Sequence, residues 1–318
     1  MDNGNQQAVK SNSGRWFWGI FISLIVIAII FVGISFIYFT KAITDSDDGS
    51  LVIRGSGKGK IAVVELNFTI FSSEGIVKQF KKYSEDKSIK AILLRVNTPG
   101  GGVAASQEIY EIIRKTRDGG KPVIVSIASL GASGGYYAAC GGSTIIADEG
   151  SLVGSIGVII QLVNYRELAD KIGVKSMTIT SGDLKDAGNP FNEFSEKDRT
   201  YFQEIVDDTY QQFIEVVSRE RKIDTARLKE YATGRVFTGR QALNIGLIDS
   251  IGTYEDAIRI AAGMGGIDGE PTIVKEKNKT TLFERILDTF SNNELRSIKE
   301  EIKSEFIDQP LLQYKFVY

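Results

Sequence analysis

Residues 122–140 read PVIVSIASLGASGGYYAAC. Pro122–Ala128 is a short run of mostly apolar and β-branched residues, the composition of a buried strand. Gly131–Cys140 opens a helix behind it. Strand followed by helix is the repeating step of an α/β fold, because parallel strands need crossovers between them. Ser133 stands at the corner, with Ala132 before it and Gly134-Gly135 after it. Small neighbours leave room for an acyl group, and a helix N-terminus favours negative charge there. On these residues alone two readings stay open: an exposed nucleophile or a plain helix cap.

The alternation continues in both directions. Ile61–Leu66, Ala91–Val96, Thr144–Ala147 and Ile156–Ile160 read as short strands. Glu74–Tyr83 and Val103–Lys115 read as helices, the second with Ile109, Ile112 and Ile113 on one face. Ser195–Arg221 is one long helix, with Ser195 as N-cap and Glu196 and Asp198 in its first turn. Phe202, Ile205, Val206, Phe213, Ile214 and Val217 form its apolar stripe, which reads as core packing. The pattern predicts an α/β fold of parallel strands covered by helices. After Val274 the chain becomes more polar, and it ends in an apolar, aromatic tail, Leu311–Tyr318.

Composition narrows the chemistry. The chain of 318 residues is 42% hydrophobic and 25% charged, with a net charge of −2, so nothing in the totals points to a nucleic-acid partner. The single cysteine, Cys140, excludes an intramolecular disulfide and reads as a small buried hydrophobe. There is no histidine. That excludes a Ser-His-Asp triad, a Cys-His dyad and zinc sites built on imidazole. Nucleophilic catalysis would need another base, and lysine is the usual alternative, because burial favours its neutral amine.

Two more loops carry chemistry. Asn97-Thr98-Pro99-Gly100-Gly101-Gly102 follows a strand end, where ligands collect in open α/β sheets. Its successive glycines let backbone N–H groups face a cleft and hold an oxyanion or a phosphate. The phosphate reading is weak, because no Gly-Lys-Ser/Thr follows. Ser181–Pro190 contains Lys185, which alone reads as a solvated loop lysine. Gly131 to Gly135 formally fits Gly-x-Ser-x-Gly, but the α/β-hydrolase version of that elbow needs a histidine.

The N-terminal region is organised differently. Residues 1–15 are polar, and Trp16–Phe39 is a run of 24 uncharged residues with aromatics at both ends. About 20 apolar residues suffice to cross a bilayer as a helix. The run is too long for the core of a cleaved signal peptide, so it reads as a transmembrane anchor. Lys10 and Arg15 precede it and Lys41 follows, which predicts a cytoplasmic N-terminus and an extracytoplasmic bulk. Residues 40–59 read as a flexible linker, 60–265 as the main domain and 266–318 as a C-terminal extension.

Val96–Val103 (VNTPGGGV), Ala132–Tyr137 (ASGGYY), Gly150–Val158 (GSLVGSIGV), Thr178–Pro190 and Gly234–Asp249 (GRVFTGRQALNIGLID) occur in that order. Together they resemble the signal peptide peptidase A type of serine protease, which belongs with the Clp protease and crotonase superfold of stacked ββα units. The resemblance covers about half of the chain. It implies Ser133 as nucleophile and Lys185 as general base, 185 − 133 = 52 residues apart, as in the short single-repeat members. It implies that Ser155 orients the lysine and that the N–H groups of Gly101 and Gly134 hold the oxyanion. It also implies a membrane-anchored endopeptidase that cleaves remnant signal peptides, needs no cofactor or metal and assembles as a ring-like homo-octamer. In short members the serine and lysine of each site come from adjacent protomers. The tail Leu311–Tyr318 is a candidate occupant of the substrate groove. The readings set against these are a crotonase-like acyl-CoA enzyme, a catalytically inert membrane scaffold and a related protease acting on a stomatin-like partner.

Overall fold

The computed structural model describes Ile27 and residues 30–35, 50–57, 59–276 and 312–315. Residues 30–35 are helical (α1), and no helix among the described residues is long and apolar enough to cross a membrane. Most of the expected anchor at 16–39, the N-terminal residues 1–15 and most of the extension after 276 lie outside the described residues.

The elements follow as β1 (Ser50–Arg54), β2 (Lys60–Leu66), α2 (Glu74–Glu85), β3 (Ile89–Thr98), β4 (Gly100–Gly102), α3 (Val103–Asp118) and β5 (Val123–Ala132). Next come α4 (Gly134–Ala139), β6 (Thr144–Ala147), β7 (Leu152–Gly154), β8 (Ile159–Ile160), α5 (Arg166–Lys171), α6 (Glu196–Arg221) and α7 (Thr225–Tyr231). The chain continues through β9 (Val236–Thr238), α8 (Gly239–Asn244), β10 (Ser250–Ile251), α9 (Tyr254–Met264), β11 (Thr272–Glu276) and β12 (Leu312–Lys315).

One sheet runs β1-β11-β2-β3-β5-β6-β10, with β7 branching from β5 and pairing β9. From β11 to β10 its pairs are parallel, whereas β1 and β9 join antiparallel. This is the parallel-rich α/β sheet that the alternation predicts. Its central strands are apolar on both faces because both faces are covered. Ala62, Val64, Ile92 and Leu94 join Phe80, Tyr110, Tyr136 and Phe213 in the larger core. Ile61, Val63, Leu93 and Ile124 point the other way, onto Ala257, Ile258 and Ala261 of α9. Each fully buried Ile, Leu or Val contributes about 1.5–3 kcal/mol.

Several boundaries move. β5 does not stop at Ala128 but runs to Ala132, one residue short of Ser133. The expected strand Ile156–Ile160 shrinks to Ile159–Ile160, and the ladder forms earlier at Leu152–Gly154. Gly154 and Ser155, at φ 101° and 52°, break the extended backbone between them. Ser50–Arg54, inside the expected linker, pairs with β11, which lies inside the expected extension. The long helix starts as read: Ser195 accepts from the Asp198 N–H and Asp198 answers in a capping box. Its stripe divides, however. Phe213, Ile214 and Val217 are buried, while Phe202, Ile205 and Val206 are only half-buried. The first half of the helix projects past the core, and there Phe202 and Val206 line a surface cavity with Ile160 and Leu162.

Candidate active site

The site begins with two parallel neighbours. β5 and β7 pair so that Ala132 lies opposite Gly154. The next residue on each strand is a serine, Ser133 and Ser155, and each adopts φ 52°. A non-glycine residue there costs of order 1–3 kcal/mol and persists only when surroundings enforce it. Here they do: the Ser133 N–H donates to Gly154 O at 2.7 Å, and the Ser155 N–H to Arg235 O at 2.8 Å. The register thus sets the two serines side by side. Ser133 is 1% exposed and makes no side-chain cap for α4. The plain-cap reading of this serine therefore fails. Ser155 is also buried, and its hydroxyl donates to Gly234 O at 3.1 Å.

Beside them lies the glycine strand β4, anchored to residue 70. The Ile70 N–H donates to Gly100 O at 2.8 Å and the Gly102 N–H to Ile70 O at 2.7 Å. Glycine is required at 101, because a Cβ there would stand 2.2 Å from Ile70 O and 2.6 Å from Ile70 N. Gly134 is the first residue of α4, so its N–H has no partner within the helix.

A segment of this same chain fills the space between. β12 lies between β4 and β8 as an antiparallel strand, with Tyr314 opposite Gly101 and Lys315 opposite Gly100. A Cβ on Gly134 would be 3.1 Å from the Tyr314 carbonyl oxygen and 3.2 Å from the Gly101 nitrogen. A Cβ on Gly100 would be 2.1 Å from that same oxygen and 2.6 Å from the Gly134 nitrogen. One carbonyl oxygen and two amide nitrogens therefore share one small volume, at the residue after Ser133. That is the layout of an oxyanion hole with a peptide carbonyl at its mouth.

The Tyr314 side chain is fully buried. Its ring stacks on Tyr137 with centroids 5.2 Å apart and tilts against Phe213 at 4.6 Å. Tyr110 closes the pocket edge-on to Tyr137 at 5.4 Å. The phenol donates to Thr209 O at 3.1 Å. Burial drives the Tyr314 phenol far above the usual tyrosine range, with a hydrogen bond from Gln107 opposing it. Burial likewise pushes Tyr137 up to about 12. Both remain neutral donors at physiological pH.

Lys185 is not part of this cluster. It lies in the turn after Gly182, is exposed, and makes no side-chain hydrogen bond or ion pair among the described residues. Around it the segment from Val163 to Phe194 exposes large apolar side chains, including Met177 at 94% and Ile179 at 100%. The structure thus brings together Ser133, Ser155, Gly101 and Gly134 and leaves Lys185 outside. Sequence reasoning had flagged the tail but missed the pocket that receives Tyr314. Its walls come from α3, α4 and α6, and in sequence Phe213 and Thr209 look like ordinary helix residues.

Among the described residues no group of His, Cys, Asp or Glu is arranged to hold a metal ion. Cys140 is buried, and burial pushes its thiol up to about 12, so it is an inert packing residue.

Residues 115–267 match peptidase family S49. A protein of Enterococcus faecium, named provisionally as a signal peptide peptidase SppA, is 39% identical over 213 residues, 67% of this chain and 62% of its own length. A Synechocystis protein, named provisionally as a protease, is 39% identical over 217 residues, covering 68% of this chain and 78% of its own. Protease 4 of Haemophilus influenzae is 33% identical over 211 residues, 64% of this chain and 34% of its own. The chain therefore spans less than two thirds of the Enterococcus relative and about a third of protease 4. The family match includes Ser133, Ser155 and Lys185 but begins after Gly101.

Proposed function

The chain belongs to peptidase family S49, the SppA and protease 4 serine proteases, and from that premise we propose a membrane-anchored endopeptidase with Ser133 as nucleophile and Lys185 as base. One observation carries the reading. A peptide strand lies between β4 and β8 with its Tyr314 carbonyl oxygen beside the Gly101 and Gly134 nitrogens. A substrate bound as that strand is bound presents its scissile carbonyl next to Ser133.

The dyad would work as follows. Ser133 Oγ attacks the carbonyl carbon and its proton passes to the neutral amine of Lys185. The Gly101 and Gly134 N–H groups take the oxyanion's charge. The protonated lysine gives its proton to the leaving amide nitrogen as the C–N bond breaks, which leaves an acyl-Ser133. Water then attacks the ester, loses a proton to Lys185, and the acid departs as Ser133 regains its hydrogen. Ser155 positions the lysine in the way that aspartate positions histidine in a triad.

Lys185 comes from an adjacent copy in this reading. The support is its exposure within an apolar surface segment, set against the serines and glycines that are already assembled. An exposed apolar patch of that kind suits a subunit interface. The resemblance extends the proposal to a ring of eight. The Trp16–Phe39 run would hold the ring at the outer face of the cytoplasmic membrane, where remnant signal peptides are the expected substrates. The aromatic walls around Tyr314 favour a large aromatic residue at the position before the scissile bond.

The test uses the full chain in detergent with fluorogenic peptides. Ser133→Ala and Lys185→Ala should each abolish cleavage. When the two inactive variants are co-assembled, about a quarter of sites combine an intact serine with an intact neighbouring lysine, if interfaces are head-to-tail. Activity should return to about that level. Cleavage by either variant alone refutes the dyad, and no recovery on co-assembly refutes a shared site.

A further inference from the structure

The tail reports on the far side of the scissile position as well. Tyr314 pairs with Gly101 and Lys315 with Gly100, so Lys315 is the first residue on the leaving side. Its half-buried side chain lines a cavity of 430 Å³ together with Ser155, Asp207, Tyr210, Thr233 and Gly234. The walls come from the end of β7, from α6 and from the segment that precedes β9.

Most polar groups in this cavity are already committed. The Ser155 hydroxyl donates to Gly234 O at 3.1 Å, and the Tyr210 hydroxyl to Ala232 O at 2.8 Å. Asp207 differs. Among the described residues it is the cavity's only carboxylate, and no Lys or Arg, Lys315 of the tail included, lies within ion-pair distance of it. Among the described residues its one side-chain partner is the neutral Gln203 amide, at 2.7 Å from the preceding turn of α6. One exposed carboxylate without an ion-pair partner among the described residues therefore stands beside the space that the tail fills with a lysine.

We propose that this cavity is the subsite for the residue after the scissile bond and that Asp207 selects a basic side chain there. The proposal rests on the proposed peptidase reading and adds a substrate class to it: chains with Lys or Arg following a large aromatic residue. The physical basis is charge complementarity across a cavity open to solvent, at whose edge Asp207 is exposed. A lysine entering the cavity keeps a counter-charge. A glutamate meets a like charge and loses hydration without compensation. Ser155 lines the same cavity, so an arriving basic side chain would also pass close to the group proposed to position Lys185.

The experiment compares three peptides, alike except for Lys, Gln or Glu after the scissile tyrosine, on the full chain and on Asp207→Asn and Asp207→Lys. The unmodified chain should prefer Lys to Gln by about fivefold in kcat/KM, the range of a partly solvated ion pair. Asp207→Asn should erase that preference while leaving the Gln peptide within about twofold, and Asp207→Lys should turn it toward Glu. The preference should also shrink in 0.5 M salt, as screening requires. An equal loss for all three peptides in Asp207→Asn would assign Asp207 to the fold or to the base and overturn the proposal. So would an unchanged ranking. Ser133→Ala separates the two layers: if it still cleaves, the peptidase reading itself fails, whatever Asp207 does.

Discussion

Adding one methyl group at Gly134 should separate catalysis from stability. The backbone accepts alanine there, because Gly134 has no positive φ and is the first residue of a helix. Helix propensity favours the change by up to about 1 kcal/mol. The obstacle is what the Cβ meets. It would stand 2.4 Å from Ser106 Oγ, 3.1 Å from the Tyr314 carbonyl oxygen and 3.2 Å from the Gly101 nitrogen. Ser106 Oγ is the free end of a side chain and can turn, at the expense of its 2.9 Å bond to Gly102 O. Leaving that buried group unsatisfied costs about 1–3 kcal/mol. The other two contacts cannot be relieved by rotation. They put a methyl group where the oxyanion must sit, and one misplaced donor costs about 2.7–4 kcal/mol, or 10²–10³ in kcat. Gly134→Ala should therefore lose that factor in kcat, read from peptide cleavage under saturating substrate. Thermal unfolding should change by only a few degrees. Adding Ser106→Ala removes the clashing atom but not the loss of the bond to Gly102 O, so the double variant should recover part of its Tm and stay inactive. A Gly134→Ala enzyme with kcat within about threefold of the parent, a difference under 1 kcal/mol, would refute the assignment of this volume to the oxyanion.

Two further outcomes follow from the described contacts. Tyr314→Ala removes a fully buried ring from the pocket, worth about 3 kcal/mol of docking and about 100-fold in the tail's hold. The apparent KM for added peptide should fall with kcat unchanged, and an unchanged KM would mean that the tail does not compete for the groove. Asp249 is half-buried, which by itself raises its pKa, but hydrogen bonds from Arg221 and from the Ile145 N–H outweigh that and hold it below the usual 3.8. A depressed folded pKa adds stability that is complete above the unfolded value and is lost as pH falls through the folded one. Asp249→Asn should lower Tm at pH 7 by roughly 2–4 °C per 1 kcal/mol lost, with the gap to the parent narrowing below about pH 4. An equal gap at pH 7 and pH 3 would show that the carboxylate's charge is not what stabilises.

How much of this was legible depended on how local each feature is. The corner at Ser133 and Gly134 could be read because strand, serine and helix are consecutive, and a strand-to-helix corner has a short-range signature. The parallel sheet was legible for the same reason. β1 was not: Ser50–Arg54 is five residues in a Ser-, Gly- and Asp-rich stretch, and only β11, more than 200 positions away, makes it a strand. The stripe of α6 was half misread because periodicity reports an apolar face and not what covers it. Phe213 and Val217 reach the core, whereas Phe202 and Val206 line an open cavity. The Tyr314 pocket was illegible, since Tyr110, Tyr137, Thr209 and Phe213 converge only after three helices pack together. Lys185 was singled out only through resemblance, since nothing in the residues around it marks it as a base.

That unevenness bears on the mechanism. The strained serine, the glycine strand and the helix N-terminus are fixed by contacts within one chain, so the geometry proposed to hold the oxyanion is set before any assembly. Preorganisation of that kind is where electrostatic catalysis gains most, because nothing need reorient during reaction. The lysine lies instead on an apolar surface segment that has no covering partner among the described residues. If a neighbouring copy supplies the base, a lone chain holds the nucleophile and the oxyanion donors but has no route for the Ser133 proton. Cleavage then requires assembly, and the groove is occupied meanwhile by the chain's own strand. Both restraints act on the same few residues around Ser133. On that reading a single chain carries a finished oxyanion site and still leaves passing polypeptides intact.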